Sequence, residues 1–90
     1  MKIYLITTEH CPKCKALYPF YEEFKAEHTD IEFKEIVFGL NAEDDDFVRQ
    51  QNIQSAPAII IDNGEVKGLY YVYSKKDLES AFELYTREKR

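Results

Sequence analysis

Short apolar runs alternate with amphipathic stretches along the 90 residues of the chain, without a repeat or a linker. Lys2 to Thr7 is rich in β-branched and aromatic residues, which is typical of a buried strand. Ile31 to Phe38 predicts a second strand, which Gly39 ends. Between them, from Pro12 to about His28, apolar residues at i, i+3, i+4 and i+7 predict one face of a helix: Leu17, Phe20, Tyr21 and Phe24.

An acidic segment follows the second predicted strand. Asn41 suits the N-cap position of a helix, and Glu43 to Asp46 would place four acids in its first turn, where the helix dipole favours negative charge. We expect this short helix to reach about Asn52 and its acids to form a solvated helix start.

The last third of the chain predicts a hairpin and a final helix. Ala58 to Ile61 and Val66 to Tyr73 read as antiparallel strands, and Asn63-Gly64 suits the positive φ values of a tight turn between them. Ser74 and Asp77 have the spacing of a capping box. The apolar stripe of the helix behind it is Leu78, Ala81, Phe82 and Tyr85.

These elements give the order βαβαββα and an α/β fold. The first two strands enclose a helix and should be parallel, whereas the hairpin is antiparallel, so we expect a four-stranded mixed sheet flanked by helices. A chain of 90 residues has room for one core, and residues 1–90 are therefore predicted to form a single domain.

Charge and hydropathy narrow the range of partners. A formal charge of −5 and a pI near 5.0 argue against nucleic acid or an anionic membrane as the main partner, since either would favour a basic face. The sequence has no apolar run of membrane-spanning length and no signal-peptide pattern at its start. We expect a cytoplasmic monomer.

The two cysteines of the chain, Cys11 and Cys14, lie within four residues. Because cytosolic thiols are kept reduced, such a pair is typical of catalysis or metal binding. Cys11 falls at a predicted helix N-terminus, where free backbone amides stabilise a thiolate, and Pro12 suits the first helical position. Cys11 is therefore the predicted nucleophile, and Cys14, one turn further on, is the predicted resolving thiol.

Two neighbours of the pair are candidates for supporting roles. Lys13 would add about 0.6 kcal/mol of favourable charge at ~7 Å from the sulfur in water, which is less than we expect from the backbone amides. His10 would contribute if it were protonated, although the adjacent Glu9 opposes its effect on the sulfur, and a surface histidine without a role is an equal alternative.

Cys11-Pro12-Lys13-Cys14-Lys15 on a strand-to-helix turn resembles the active site of the thioredoxin and glutaredoxin superfamily. Pro19 matches the proline inside the active-site helix of thioredoxins, and residues 53–66 are similar to their segment with a cis-proline, a strand and a hairpin. The similarity covers nearly the whole chain, and the size is that of small, glutaredoxin-sized thioredoxins. It implies a thioredoxin-like fold and a redox-active Cys11–Cys14 disulfide with no bound cofactor.

The resemblance also implies a substrate-binding surface. Pro57 would follow a cis peptide bond beside the cysteines, and the backbone of Ala56 would pair with an extended substrate segment. The proline's missing N–H would discourage metal binding at the thiols. Tyr71, in the segment that replaces the glycine of the thioredoxin groove, is a candidate contact for the substrate protein.

Several positions depart from the two families. Thioredoxins usually have a buried Asp and a Trp where this chain has Leu5 and His10, so proton transfer at Cys14 is left to water or another group. Glutaredoxins commonly have a cation at the position of Thr8 and a Gly-Gly pair after the last strand to hold glutathione, and this sequence has neither.

Three functions remain open from the sequence. The preferred one is a dithiol oxidoreductase that reduces protein disulfides and is recharged by a flavoprotein disulfide reductase. The second is a glutaredoxin that uses glutathione as its reductant. The third is a metal or iron–sulfur module in which Cys11 and Cys14 supply half of a site shared with a second subunit, although His10 and His28 complete it at no recognised spacing. We expect no metal.

Overall fold

The computed structural model describes residues 1–88 as a four-stranded mixed sheet with three helices. The strands are β1 (Lys2–Thr8), β2 (Glu32–Phe38), β3 (Ala58–Asp62) and β4 (Lys67–Tyr71), and the helices are α1 (Pro12–Glu27), α2 (Ala42–Gln50) and α3 (Lys75–Glu88). The sheet order is β2-β1-β3-β4, in which β1 is parallel to β2 and the other pairs are antiparallel. The predicted fold class and element order are confirmed, while residues 89 and 90 lie outside the described part.

Both faces of the sheet are covered because its central strands are apolar on both sides. On one face, Ile3 and Leu5 of β1 and Ile59 and Ile61 of β3 pack with α1 and α3. The helices contribute Leu17, Tyr21, Phe24, Leu78, Ala81 and Tyr85 to this cluster. On the other face, a smaller cluster joins α2 to the sheet through Ile6, Ile36, Val48 and Ala58. No helix within residues 1–88 is both long enough and apolar enough to span a lipid bilayer.

Two details of the sequence prediction are wrong. Phe20 is 40% exposed, because the buried stripe of α1 is centred on Cys14, Leu17, Tyr21 and Phe24 and leaves Phe20 at its edge. The hairpin loop is longer than a tight turn, since β4 begins only at Lys67. Within Asn63-Gly64 only the glycine has a positive φ, of 96°, and the Asn63 side chain instead accepts hydrogen bonds from the N–H groups of Glu65 and Val66.

The helix starts follow the sequence signals closely. The Asn41 side chain caps α2 by accepting hydrogen bonds from the N–H groups of Glu43 and Asp44, at 2.9 and 3.2 Å. At the start of α3, Ser74 Oγ accepts from the N–H of Asp77, and the Asp77 carboxylate accepts from the N–H of Tyr73 at 2.9 Å. The second of these bonds fixes the chain segment that enters α3, and the ring of Tyr73 in this segment contacts Lys13.

Candidate active site

The cysteine motif lies on a tight turn between β1 and α1. β1 ends at Thr8, and His10 then adopts a left-handed conformation with φ of 58°, which histidine tolerates better than most residues with a side chain. Cys11 returns to an extended conformation as the N-cap of α1, and Pro12 is the first helical residue. Since proline lacks an N–H and has a helical φ, it starts the helix directly behind the N-cap sulfur.

The sulfur atoms of Cys11 and Cys14 lie at disulfide distance, and their Cα atoms are 5.2 Å apart. The two side chains differ in access to solvent: Cys11 is half-buried, whereas Cys14 is only 3% exposed. An incoming disulfide can therefore reach Cys11 first, with Cys14 behind it in the first turn of α1.

The first turn of α1 supplies hydrogen-bond donors to Cys11. The backbone N–H of Cys14 donates to Cys11 Sγ at 3.2 Å, and the N–H of Lys15 donates to the Cys11 carbonyl at 3.1 Å. An amide aimed at sulfur at the positive end of a helix favours the charged thiolate over the thiol. The start of α1 thus places a hydrogen-bond donor at the sulfur of Cys11.

The loop before β3 lies at the same end of the sheet as the cysteine turn. Ile6 of β1 is paired with Ala58 of β3, so the residues that follow Ile6 and those that precede Ala58 leave the sheet side by side. The Ala56–Pro57 bond is cis, and the Pro57 carbonyl accepts from the N–H of Val72 at 3.3 Å. Within residues 1–88 the backbone of Ala56 makes no hydrogen bond, so it is available to an extended peptide.

Two tyrosines hold this loop through their hydroxyl groups. Tyr71 Oη accepts from the N–H of Gln54 at 3.2 Å, and Tyr73 Oη lies 3.3 Å from Ser55 Oγ. The sequence places both tyrosines in the segment that replaces the groove glycine, but the predicted substrate contact is Tyr71 and not Tyr73. The signal was present, because the two tyrosines flank the buried Val72 and so point to the same side of the chain.

The polar side chains of the cysteine turn lack acidic partners. Lys13 Nζ lies over the ring of Tyr73, 5.3 Å from its centroid, and neither Lys13 nor Lys15 has a carboxylate within ion-pair distance in the described chain. The His10 imidazole makes no hydrogen bond or ion pair to another residue of the range 1–88. The structure therefore connects Lys13 to the loop before β3 through Tyr73. His10 lies on the same turn as the cysteines, but its side chain makes no such connection.

A surface pocket of about 250 Å³ lies against the same loop. Its walls include Thr8 from the end of β1, Phe38 from the end of β2, and Gln54 and Ala56 from the loop.

Leu5, at the position of the thioredoxin aspartate, is buried in the apolar core. No group of three or more His, Cys, Asp or Glu side chains among the described residues is arranged to hold a metal ion.

Comparison with protein families identifies the class of this chain. The thioredoxin family model matches residues 3–83. The chain belongs to the thioredoxin family, and this membership together with its cysteine pair supports thiol–disulfide oxidoreductase chemistry. No curated protein matches the sequence at a significant level.

Solved thioredoxin structures share the fold. Thioredoxin 1 of Thermosipho africanus is 24% identical with a TM-score of 0.71, and the match covers 97% of this chain and 96% of that one. Oxidised thioredoxin of Plasmodium falciparum is 24% identical (TM-score 0.73; coverage 93% and 79%). The oxidised form of mitochondrial thioredoxin 3 of Saccharomyces cerevisiae is 14% identical (TM-score 0.78; coverage 91% and 76%).

Proposed function

We propose that this protein is a dithiol reductant of protein disulfides, with Cys11 as nucleophile and Cys14 as resolving thiol. The observation that carries the proposal is the difference between the two sulfurs: Cys11 is accessible and accepts a hydrogen bond from the Cys14 amide, whereas Cys14 is buried behind it.

The reaction would proceed in two exchanges. The Cys11 thiolate attacks one sulfur of the substrate disulfide, so that a Cys11–substrate bond forms, the substrate S–S bond breaks, and the departing thiolate takes a proton from solvent. Cys14 then loses its proton to water and attacks the Cys11 sulfur, which releases the second substrate thiolate. Two electrons pass to the substrate, and the protein is left with its own disulfide.

The loop before β3 would position the substrate for this attack. Ala56, whose backbone is free, would pair with an extended substrate segment, and Pro57 would lie beside the reacting sulfurs. The exposed ring of Tyr71 would contact the same segment. We also propose that the protein acts in the cytoplasm and as a monomer.

The reductant is tested by recharging the oxidised protein with NADPH and one of two systems. We expect a flavoprotein of the thioredoxin-reductase type to reduce it rapidly, and glutathione with glutathione reductase to act slowly, because Thr8 supplies no cation and the sequence has no Gly-Gly pair for glutathione. Rapid reduction by the glutathione system alone would identify a glutaredoxin. A stoichiometric metal ion in freshly purified protein would instead support a metal or iron–sulfur module.

A further inference from the structure

Tyr73 makes three contacts at the edge of the active site, two through its side chain and one through its backbone. Its hydroxyl lies 3.3 Å from Ser55 Oγ, its backbone N–H donates to Asp77 at 2.9 Å, and Lys13 Nζ lies 5.3 Å from its centroid. The residue nevertheless remains 45% exposed. Tyr73 therefore joins the cysteine turn, the loop before Pro57 and the start of α3 while presenting an aromatic surface to solvent.

Lys13 has no anionic partner among residues 1–88, although the net charge of the chain is −5. By contrast, Lys75 pairs with both Glu23 and Glu27. Contact with a ring face attracts an ammonium group and restricts its position, but the group carries three N–H donors, and those turned away from the ring stay available. Lys13 is thus placed beside the nucleophile with unused capacity for a carboxylate.

We propose that Lys13 and Tyr73 form a subsite for an acidic residue next to the reacting cysteine of the substrate. The preferred occupant is an extended peptide segment with Asp or Glu one or two positions from its disulfide-bonded cysteine. Lys13 binds the carboxylate, and Tyr73 is a positioning residue whose ring holds the Lys13 ammonium group beside the bound substrate segment. This inference rests on the proposed reduction of protein disulfides and specifies which substrates are preferred.

The expected preference for an acidic over a neutral peptide is modest, because the ion pair between Lys13 and the substrate carboxylate is exposed to solvent. Exposed pairs contribute little, so an acidic peptide should react roughly two- to fivefold faster than a neutral one at low salt. Added salt should reduce this ratio towards one, because ions screen exposed charges over about 10 Å at 0.1 M.

The test uses three peptides that differ only in the residue beside a single cysteine, which is Glu, Gln or Lys, each as a disulfide with the same small thiol. The rate constant of reaction with the reduced protein should fall in the order Glu, Gln, Lys. Lys13→Glu should reverse the order. Lys25→Glu makes the same charge change at the far end of α1, on an exposed residue, and should preserve it.

Two further variants separate position from charge. Tyr73→Phe keeps the ring face under Lys13 and should keep most of the Glu-to-Gln rate ratio, whereas Tyr73→Leu removes the face and should lower that ratio. Each ratio compares the rate constants of two peptides with the same variant. A substitution that lowers the reactivity of Cys11 towards both peptides equally therefore leaves the ratio unchanged.

The outcomes distinguish the subsite from the function beneath it. Equal rates for the three peptides at low salt, with all of them reduced, would overturn the subsite and leave the reductase function standing. An order that persists in Lys13→Glu would also overturn it. Failure to reduce any of the peptides would overturn the proposed function and the subsite together.

Discussion

The backbone N–H of Cys14 donates a hydrogen bond to the sulfur of Cys11, with 3.2 Å between nitrogen and sulfur. Helix geometry leaves the first amides of a helix without intrahelical acceptors, so this donor is available because Cys11 is the N-cap of α1. In the reduced protein the same amide would face Cys11, where it stabilises a negative charge. This amide is the basis on which we propose different roles for the two cysteines.

Serine replacements should separate the two cysteine roles. Cys11→Ser should abolish turnover, since the accessible nucleophile is lost. Cys14→Ser should still attack but cannot resolve, so it should accumulate a mixed disulfide with the substrate. Mass spectrometry of each variant after incubation with a disulfide peptide would measure the adduct.

Two outcomes would contradict the roles of Cys11 as nucleophile and Cys14 as resolving thiol. Equal residual turnover in the two variants, or a stable adduct on Cys14 in the Cys11→Ser protein, would mean that the order of attack has been misassigned. Addition of dithiothreitol should release the adduct from the Cys14→Ser protein and serves as a control for its disulfide nature.

Alkaline pH should destabilise the fold through its buried tyrosines. Burial, with a smaller effect of Glu22, raises the pKa of Tyr21 to about 12, and burial also raises the pKa of Tyr85. The unfolded chain releases these protons near pH 10, whereas the folded chain retains them. The free energy of unfolding should therefore fall as pH rises from about 10 towards 12. Urea titrations at several pH values should show a smaller fall for Tyr21→Phe. If the free energy of unfolding fell as steeply with pH in this variant as in the unmodified protein, ionisation of Tyr21 would not be the cause.

The cap of α2 gives a stability prediction with a matched control. Asn41→Ala removes the acceptor for two helix N–H groups and should lower the free energy of unfolding by about 0.5–2 kcal/mol. Asn41→Asp keeps a side-chain oxygen at this position and should retain most of the stability. Urea unfolding of both variants measures the difference, and an equal effect would show that the side-chain acceptor is not responsible.

Gly68 on β4 leaves no room for a side chain. A Cβ there would lie 2.8 Å from the ring and hydroxyl of Tyr70 and 2.9 Å from the ring of Tyr85, which is only 1% exposed. Gly68→Ala should therefore cost roughly 1–3 kcal/mol of stability through overpacking. An unchanged urea midpoint would mean that both rings move aside at little cost.

Periodicity and local capping chemistry predicted most of the fold. Most of the α1 stripe, the Asn41 cap and the bond from the Asp77 N–H to Ser74 Oγ follow local signals, although the Asp77 carboxylate accepts from the N–H of Tyr73 and not from that of Ser74. The errors have a local origin too. Phe20 fits the helical repeat but lies at the edge of the buried face, and the Asn63 side chain accepts hydrogen bonds that extend the loop.

The family resemblance predicted the cis Ala56–Pro57 bond, whereas local patterns alone predicted the candidate site only where its residues are adjacent in sequence. Cys11, Pro12 and Cys14 form a contiguous motif with a known helix-start chemistry. Tyr73 and Ser55 are 18 positions apart and meet only because β4 and the loop before β3 converge beside the cysteine turn. No pattern in the sequence indicated that Lys13 would lie over a tyrosine ring, since that contact depends on the tertiary fold.

The most direct test of the account is the pH dependence of alkylation of Cys11 in the reduced protein, with Cys14→Ser used to isolate this thiol. We expect the alkylation rate to reach half its plateau clearly below pH 8.5, the pKa typical of a free cysteine, because helix amides stabilise the thiolate. A midpoint at or above that value would contradict the claim that the start of α1 activates Cys11.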